Sequence, residues 1–143
     1  MHYVFESVFV GIYCVGILAL LLRFMAKAPL LSLLFLLGFI KHLSAYYLQI
    51  QSLYCNRGDA CVKVNDAMLT YRAKTTNILM ESMFEGFSFL IIGLLVTKLG
   101  GIQLTTRQRK LIFAFVVGSF MHIVAEKMGI HKKWCKTTCK PVL

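Results

Sequence analysis

The sequence predicts an all-α integral membrane protein: a four-helix bundle built from two parallel-repeat helical hairpins, with a cysteine-braced polar loop and tail on one side. Three observations predict it. Hydrophobic residues make up 58% of the 143-residue chain, mean hydropathy is +0.71 and only 15% of residues are charged. Soluble domains of this length carry about a quarter charged residues and just under half apolar ones. The apolar residues fall into four runs, and a bilayer core of about 30 Å needs about 20 residues per span. Finally, one of those runs recurs later in the chain, so 1–143 reads as a single membrane domain.

The first span is about 3–22, apolar apart from Glu6 and closed by Arg23 and Lys27. No Lys or Arg precedes it and no small-residue cleavage site follows, so it is expected to be an uncleaved span rather than a signal peptide. The second, about 28–54, has Pro29 in its first turn, where a helix tolerates proline, and is interrupted by Lys41 and His42. The third, about 78–97, carries Glu81 and Glu85 in its first two turns, and Gly100-Gly101 mark its end. The fourth, about 111–126, is the shortest and is opened by Arg107, Arg109 and Lys110. Four spans put both termini and the 55–77 loop on one side, which gathers Cys55, Cys61, Cys135 and Cys139 there. Cys14 lies within the first span as packing.

The repeat is FLLGFIKHLSAYYLQIQSLYC (35–55) under FVVGSFMHIVAEKMGIHKKWC (115–135), aligned without a gap. Phe35, Gly38, His42, Ala45, Ile50 and Cys55 fall on Phe115, Gly118, His122, Ala125, Ile130 and Cys135, and Tyr54 falls on Trp134. With Phe5-Glu6 set against Phe84-Glu85, the repeats are expected to cover 3–61 and 78–139. Each unit crosses the membrane twice, so the copies run parallel about a pseudo-twofold along the membrane normal. Gly38, His42 and Tyr46, and Gly118, His122 and Glu126, each lie on one helix stripe. The glycines permit close approach to another helix, so those stripes are expected to face the bundle.

Ionisable groups in a membrane are costly and face an interior or a cavity. Depth along the spans suggests a Glu6–His42 pair and a Glu85–His122 pair, with Glu126 the position at which the copies differ. Such pairs either satisfy one another and fix helix register, the favoured account, or handle protons or a metal. The Glu-x-x-His spacing of carboxylate-bridged metal bundles is absent, and no metal ligand set, cofactor or catalytic residue is assigned. There is no phosphate-binding glycine loop and no nucleophile with a base.

Cys55-x5-Cys61 and Cys135-x3-Cys139 are poor zinc-knuckle spacings and are not Cys-x-x-Cys, so two structural disulfides are favoured over zinc or redox chemistry, and all three pairings stay open. Disulfides place that side outside the cytosol. The positive-inside rule leans the other way and hardly decides, so orientation stays open. Arg57-Gly58-Asp59 is ordinary turn chemistry as much as an adhesion tripeptide. The net charge of +10 lies mostly outside the apolar runs, and Lys127, Lys132, Lys133, Lys136 and Lys140 form a basic docking face for anionic lipid headgroups or an acidic protein scaffold. The basic residues form no aromatic-interleaved stripe, which argues against specific nucleic-acid binding.

The aromatic-Cys ending after a Gly-x-x-x-His span, as in GSFMHIVAEKMGIHKKWC, resembles small multi-span membrane proteins of large icosahedral double-stranded DNA viruses with an internal membrane. The resemblance covers chiefly 35–61 and 115–139 and carries over no catalytic residue. It implies a structural component of a virion internal membrane, or of an endoplasmic-reticulum-derived membrane, that links the bilayer to a capsid in homo- or hetero-oligomeric contact. The expected function is therefore structural and non-enzymatic. A small transporter or channel using the Glu and His pairs is the alternative, and a membrane redox or metal enzyme is the third.

Overall fold

A computed structural model describes residues 2–143. The described residues form seven helices and one two-stranded sheet: α1 (Tyr3–Phe24), α2 (Leu30–Tyr47), α3 (Ile50–Arg57), α4 (Asp59–Val62), β1 (Tyr71–Ala73), α5 (Ile78–Gly100), α6 (Arg107–Lys127), α7 (Ile130–Thr138) and β2 (Cys139–Pro141). Helix ends follow local chemistry. The His2 side chain accepts from the Val4 N–H at the start of α1, and Thr106 accepts from the Arg109 N–H at the start of α6. Gly101 closes α5 in the left-handed conformation at φ 59°.

Three helices, α1, α2 and α5, are long and apolar enough to cross a membrane. α6 qualifies only together with α7, from which it is bent by 79°. Its first turn carries Arg107, Arg109 and Lys110, expected to lie just before the helix. The second expected span also needs correction. Residues 28–54 are not one helix, because α2 stops at Tyr47 and α3 begins after Gln49, which adopts φ 62°. The α6–α7 joint has the same form, with Gly129 at φ 76°.

The four long helices pack by preference across the chain, α1 along α6 and α2 along α5, with smaller α1–α2 contact and little between α5 and α6. Small residues allow both close crossings. A Cβ on Gly118 would fall 2.6 Å from Cys14 Sγ, and one on Gly38 would fall 2.5 Å from the Glu85 carbonyl oxygen. Cys14, Ile17, Leu33, Leu37, Phe89, Phe113 and Val117 fill the centre. Phe5, Phe9, Ile12, Phe84, Ile91, Ile112 and Phe120 are exposed on the outside, as lipid-facing side chains would be.

A cap covers one end. The expected polar loop 55–77 is folded rather than irregular, and β1 pairs antiparallel with β2 through Tyr71↔Pro141, Arg72↔Lys140 and Ala73↔Cys139. Asn56 bridges α3 to this sheet, donating to the Tyr71 carbonyl at 2.7 Å and accepting from its N–H at 2.8 Å. Two disulfides, Cys55–Cys139 and Cys61–Cys135, tie the loop to the C-terminal tail. In the chain-entropy account, the first closes a loop worth about 4–5 kcal/mol, and the second, closing only the short remaining ring, adds about 2–3 kcal/mol.

Candidate functional site

Two polar clusters lie where the long helices meet the cap. The first is built from α1, α3, α4, α6 and α7. His122 Nε2 lies 3.1 Å from Glu6 Oε2, and the Asp59 N–H donates to Glu6 Oε1 at 2.5 Å. One turn along α6, Glu126 Oε2 meets His131 Nδ1 at 2.9 Å and accepts from the Tyr54 hydroxyl at 3.4 Å. The His122 and His131 ring centroids are 4.4 Å apart, and Tyr54 stands edge-on to both. The cluster is dry: the Glu6 and His122 side chains are 5% and 8% exposed.

α7 turns 79° away from α6, which brings His131 back to Glu126. Burial and the Glu6 and Glu126 charges push the Tyr54 phenol well above its ordinary value, so it acts as a neutral donor.

The second cluster is built from α2, α3 and α5. His42 Nε2 lies 3.3 Å from Glu81 Oε2 and 3.4 Å from Gln51 Nε2, and Thr75 donates to the other Glu81 oxygen. Lys41 Nζ pairs with Glu85 Oε1 at 2.5 Å and stands 5.6 Å over the Phe89 ring. This cluster is wetter, with the Glu81 side chain 33% exposed.

The expected pairs Glu6–His42 and Glu85–His122 do not form. Because α1 packs along α6 and α2 along α5, Glu6 meets His122, His42 meets Glu81, and Glu85 is taken by Lys41. The signal for this lay in the chain. Glu6-Ser7-x-Phe9-x-Gly11 recurs as Glu81-Ser82-x-Phe84-x-Gly86, a longer match than Phe5-Glu6 with Phe84-Glu85, and it sets Tyr3 on Ile78, the first residues of α1 and α5. His131, Tyr54 and Lys41 were not singled out from the sequence as members of these clusters. Tyr54 and His131 become visible once α3 and α7 are known to fold back over the helix ends.

Cys55, Cys61, Cys135 and Cys139 are brought together, and Cys61 Sγ is 3.8 Å from Cys139 Sγ of the neighbouring bridge. Cys14 is a buried free thiol. Lys127, Lys132, Lys133, Lys136 and Lys140 are all exposed on or beside α7 and β2. Arg57-Gly58-Asp59 is not an open turn: it joins α3 to α4, with Gly58 against Tyr54 and the Asp59 carboxylate 3.1 Å from Lys63 Nζ. Compared with protein-family models, with curated proteins and with solved structures, the chain matches none.

Proposed function

We propose that the protein is a structural, non-enzymatic integral membrane protein, a four-helix bundle of two parallel repeats whose stapled cap docks its basic face onto anionic headgroups or an acidic scaffold. The observation that carries it is the cap: a loop and a tail from distant parts of the chain are cross-linked twice into one plate, with α7 bent 79° from α6 and its lysines exposed. A basic amphipathic helix turned across the end of a span is placed to lie against a negatively charged surface. Arg72 and Lys140 are directly opposed across the sheet, and like charges so placed are destabilising unless an anion joins them. The resemblance noted above makes a virion internal membrane, with the cap towards a capsid, the setting in which such a plate would serve.

The repeat is supported by position. Gln49 and Gly129 are the left-handed joints, Ile50 and Ile130 start the following helices, and Cys55 and Cys135 sit alike in them. The α1–α6 and α2–α5 packings are the same contact under that exchange. Against transport, the carboxylates and histidines of the long helices lie at the cap end, and the gap among Leu18, Leu30, Leu34, Leu37 and Phe113 further down is lined by apolar side chains apart from Lys110.

Proteoliposomes test this. The reconstituted protein, cap outward in neutral vesicles, should tether added phosphatidylserine vesicles but not phosphatidylcholine ones, with loss at high salt and in K132E/K133E/K136E. A proton or cation flux that disappears in H42L/H122L would overturn the structural assignment in favour of a transporter.

A further inference from the structure

We infer that Glu6, His122, Glu126 and His131 form a binding site for one zinc-class divalent cation, beneath the cap where α1, α6 and α7 converge. The inference goes beyond the structural role and does not rest on it. One ligand atom from each of His122, Glu126 and His131 lies within 4.8 Å of the others, and Glu6 Oε2 adjoins the set at 3.1 Å from His122 Nε2. Tetrahedral zinc holds nitrogen and carboxylate oxygen at about 2.0–2.2 Å, so its donors stand about 3.3–3.6 Å apart. Taking up the ion therefore requires the His122, Glu126 and His131 donors to draw together, with Glu6 joining from beside His122. His122 and Glu126 stand one turn apart on α6, and the bend at Gly129 brings His131 back over them.

Charge and environment agree with this ligand. Two imidazole nitrogens and two carboxylates are a mixed nitrogen and oxygen donor set of the kind zinc-class ions take, and the two carboxylates offset the charge of a divalent cation. Binding forms coordinate bonds only, and no electron moves. The ligands are also supported from outside. The Asp59 N–H holds the free oxygen of Glu6, and the Tyr54 hydroxyl reaches Glu126, the kind of outer contact that orients metal ligands.

The second cluster is an internal control. It keeps the Glu–His pair as Glu81 and His42, but has Tyr46 where the first has Glu126, Gln51 where it has His131, and Lys41 beside the histidine. Two ligands are missing and a cation is already present, so it should not bind metal.

The test uses the tag-free full chain in detergent with its disulfides intact, stripped with chelator and then exposed to Zn2+ or Co2+ alone. One zinc per chain should survive gel filtration, and Co2+ should give the intense visible bands of a tetrahedral site. E126Y/H131Q, which writes the second cluster's residues into the first, should lose retention and bands, while H42Q keeps both. Tyr54→Phe leaves every ligand in place and should weaken zinc by about 10- to 100-fold, which keeps the test decisive if the double variant does not fold. A wild-type chain that retains no zinc and shows no cobalt bands overturns the site. So does zinc that persists unchanged in a folded E126Y/H131Q protein or in Tyr54→Phe.

Discussion

The two polar clusters both lie where a packed pair of long helices, α1 with α6 and α2 with α5, meets the cap, yet they balance charge differently. Each has one Glu–His pair, Glu6 with His122 and Glu81 with His42. Each has one further carboxylate at a position the other lacks, Glu126 in one and Glu85 in the other. Glu126 is met by His131 from α7, and Glu85 by Lys41 from α2. A carboxylate taken out of water needs a partner, and the chain supplies one each time by a different route. The first route yields four potential ligands in a dry pocket. The second yields a fixed ion pair that closes the site to a cation.

The difference in exposure predicts the largest effects. Removing Glu6 strands His122 and the Asp59 N–H in a dry site, so Glu6→Leu should cost about 3–5 kcal/mol, the scale for breaking a buried pair. Glu81→Leu, at a side chain 33% exposed, should cost about 1 kcal/mol because water replaces the lost partner. Unfolding of each variant in mixed detergent micelles with increasing dodecyl sulfate measures both. Equal losses would show that the clusters are alike in dielectric.

The glycine crossings sharpen the comparison next. At Gly118 the obstacle to a methyl is the Cys14 side chain, whereas at Gly38 it is the Glu85 backbone carbonyl, with Phe89 beside it. Both alanine variants should lose about 1–3 kcal/mol through overpacking. Truncating the obstacle should restore part of the loss only where the obstacle is a side chain. Gly118→Ala with Cys14→Ala is therefore expected to be more stable than Gly118→Ala alone, and Gly38→Ala with Phe89→Leu is expected to show no recovery. The same micelle assay decides.

The helices, the glycine stop at Gly101 and the gathering of four cysteines at one end were legible because hydropathy, turn residues and span parity are local or additive signals. The partner of each glutamate was not. It depends on which helices pack together, and adjacent helices in a chain are the natural first assumption; here Gly11 with Gly118 and Gly38 with Gly86 draw together helices that are not neighbours in sequence. The β1–β2 ribbon was illegible for a different reason. Three residues at each strand have no independent stability and are held by the Cys55–Cys139 bridge and by Asn56. The joint at Gln49 was hidden because nothing in Leu48-Gln49 announces a left-handed residue, although the ungapped alignment of 35–55 with 115–135 sets Gln49 on Gly129.

That last pair gives the smallest and cleanest prediction. Both joints turn through a left-handed residue, at φ 62° for Gln49 and 76° for Gly129, but only glycine adopts this conformation without a Cβ penalty. A Cβ on Gly129 would meet nothing within 4 Å, so the cost of a side chain there is conformational and not steric contact with neighbours. Gly129→Gln should destabilise by about 1–2 kcal/mol, and Gln49→Gly should stabilise by up to about 1 kcal/mol, the gain being reduced by the entropy glycine loses on folding. Opposite signs in the micelle unfolding assay would show that the two joints are the same structural device with glycine at only one of them. Gln49→Gly that destabilises would mean that the glutamine side chain, which accepts from the Ser52 hydroxyl at 2.9 Å, holds the first joint in place of glycine.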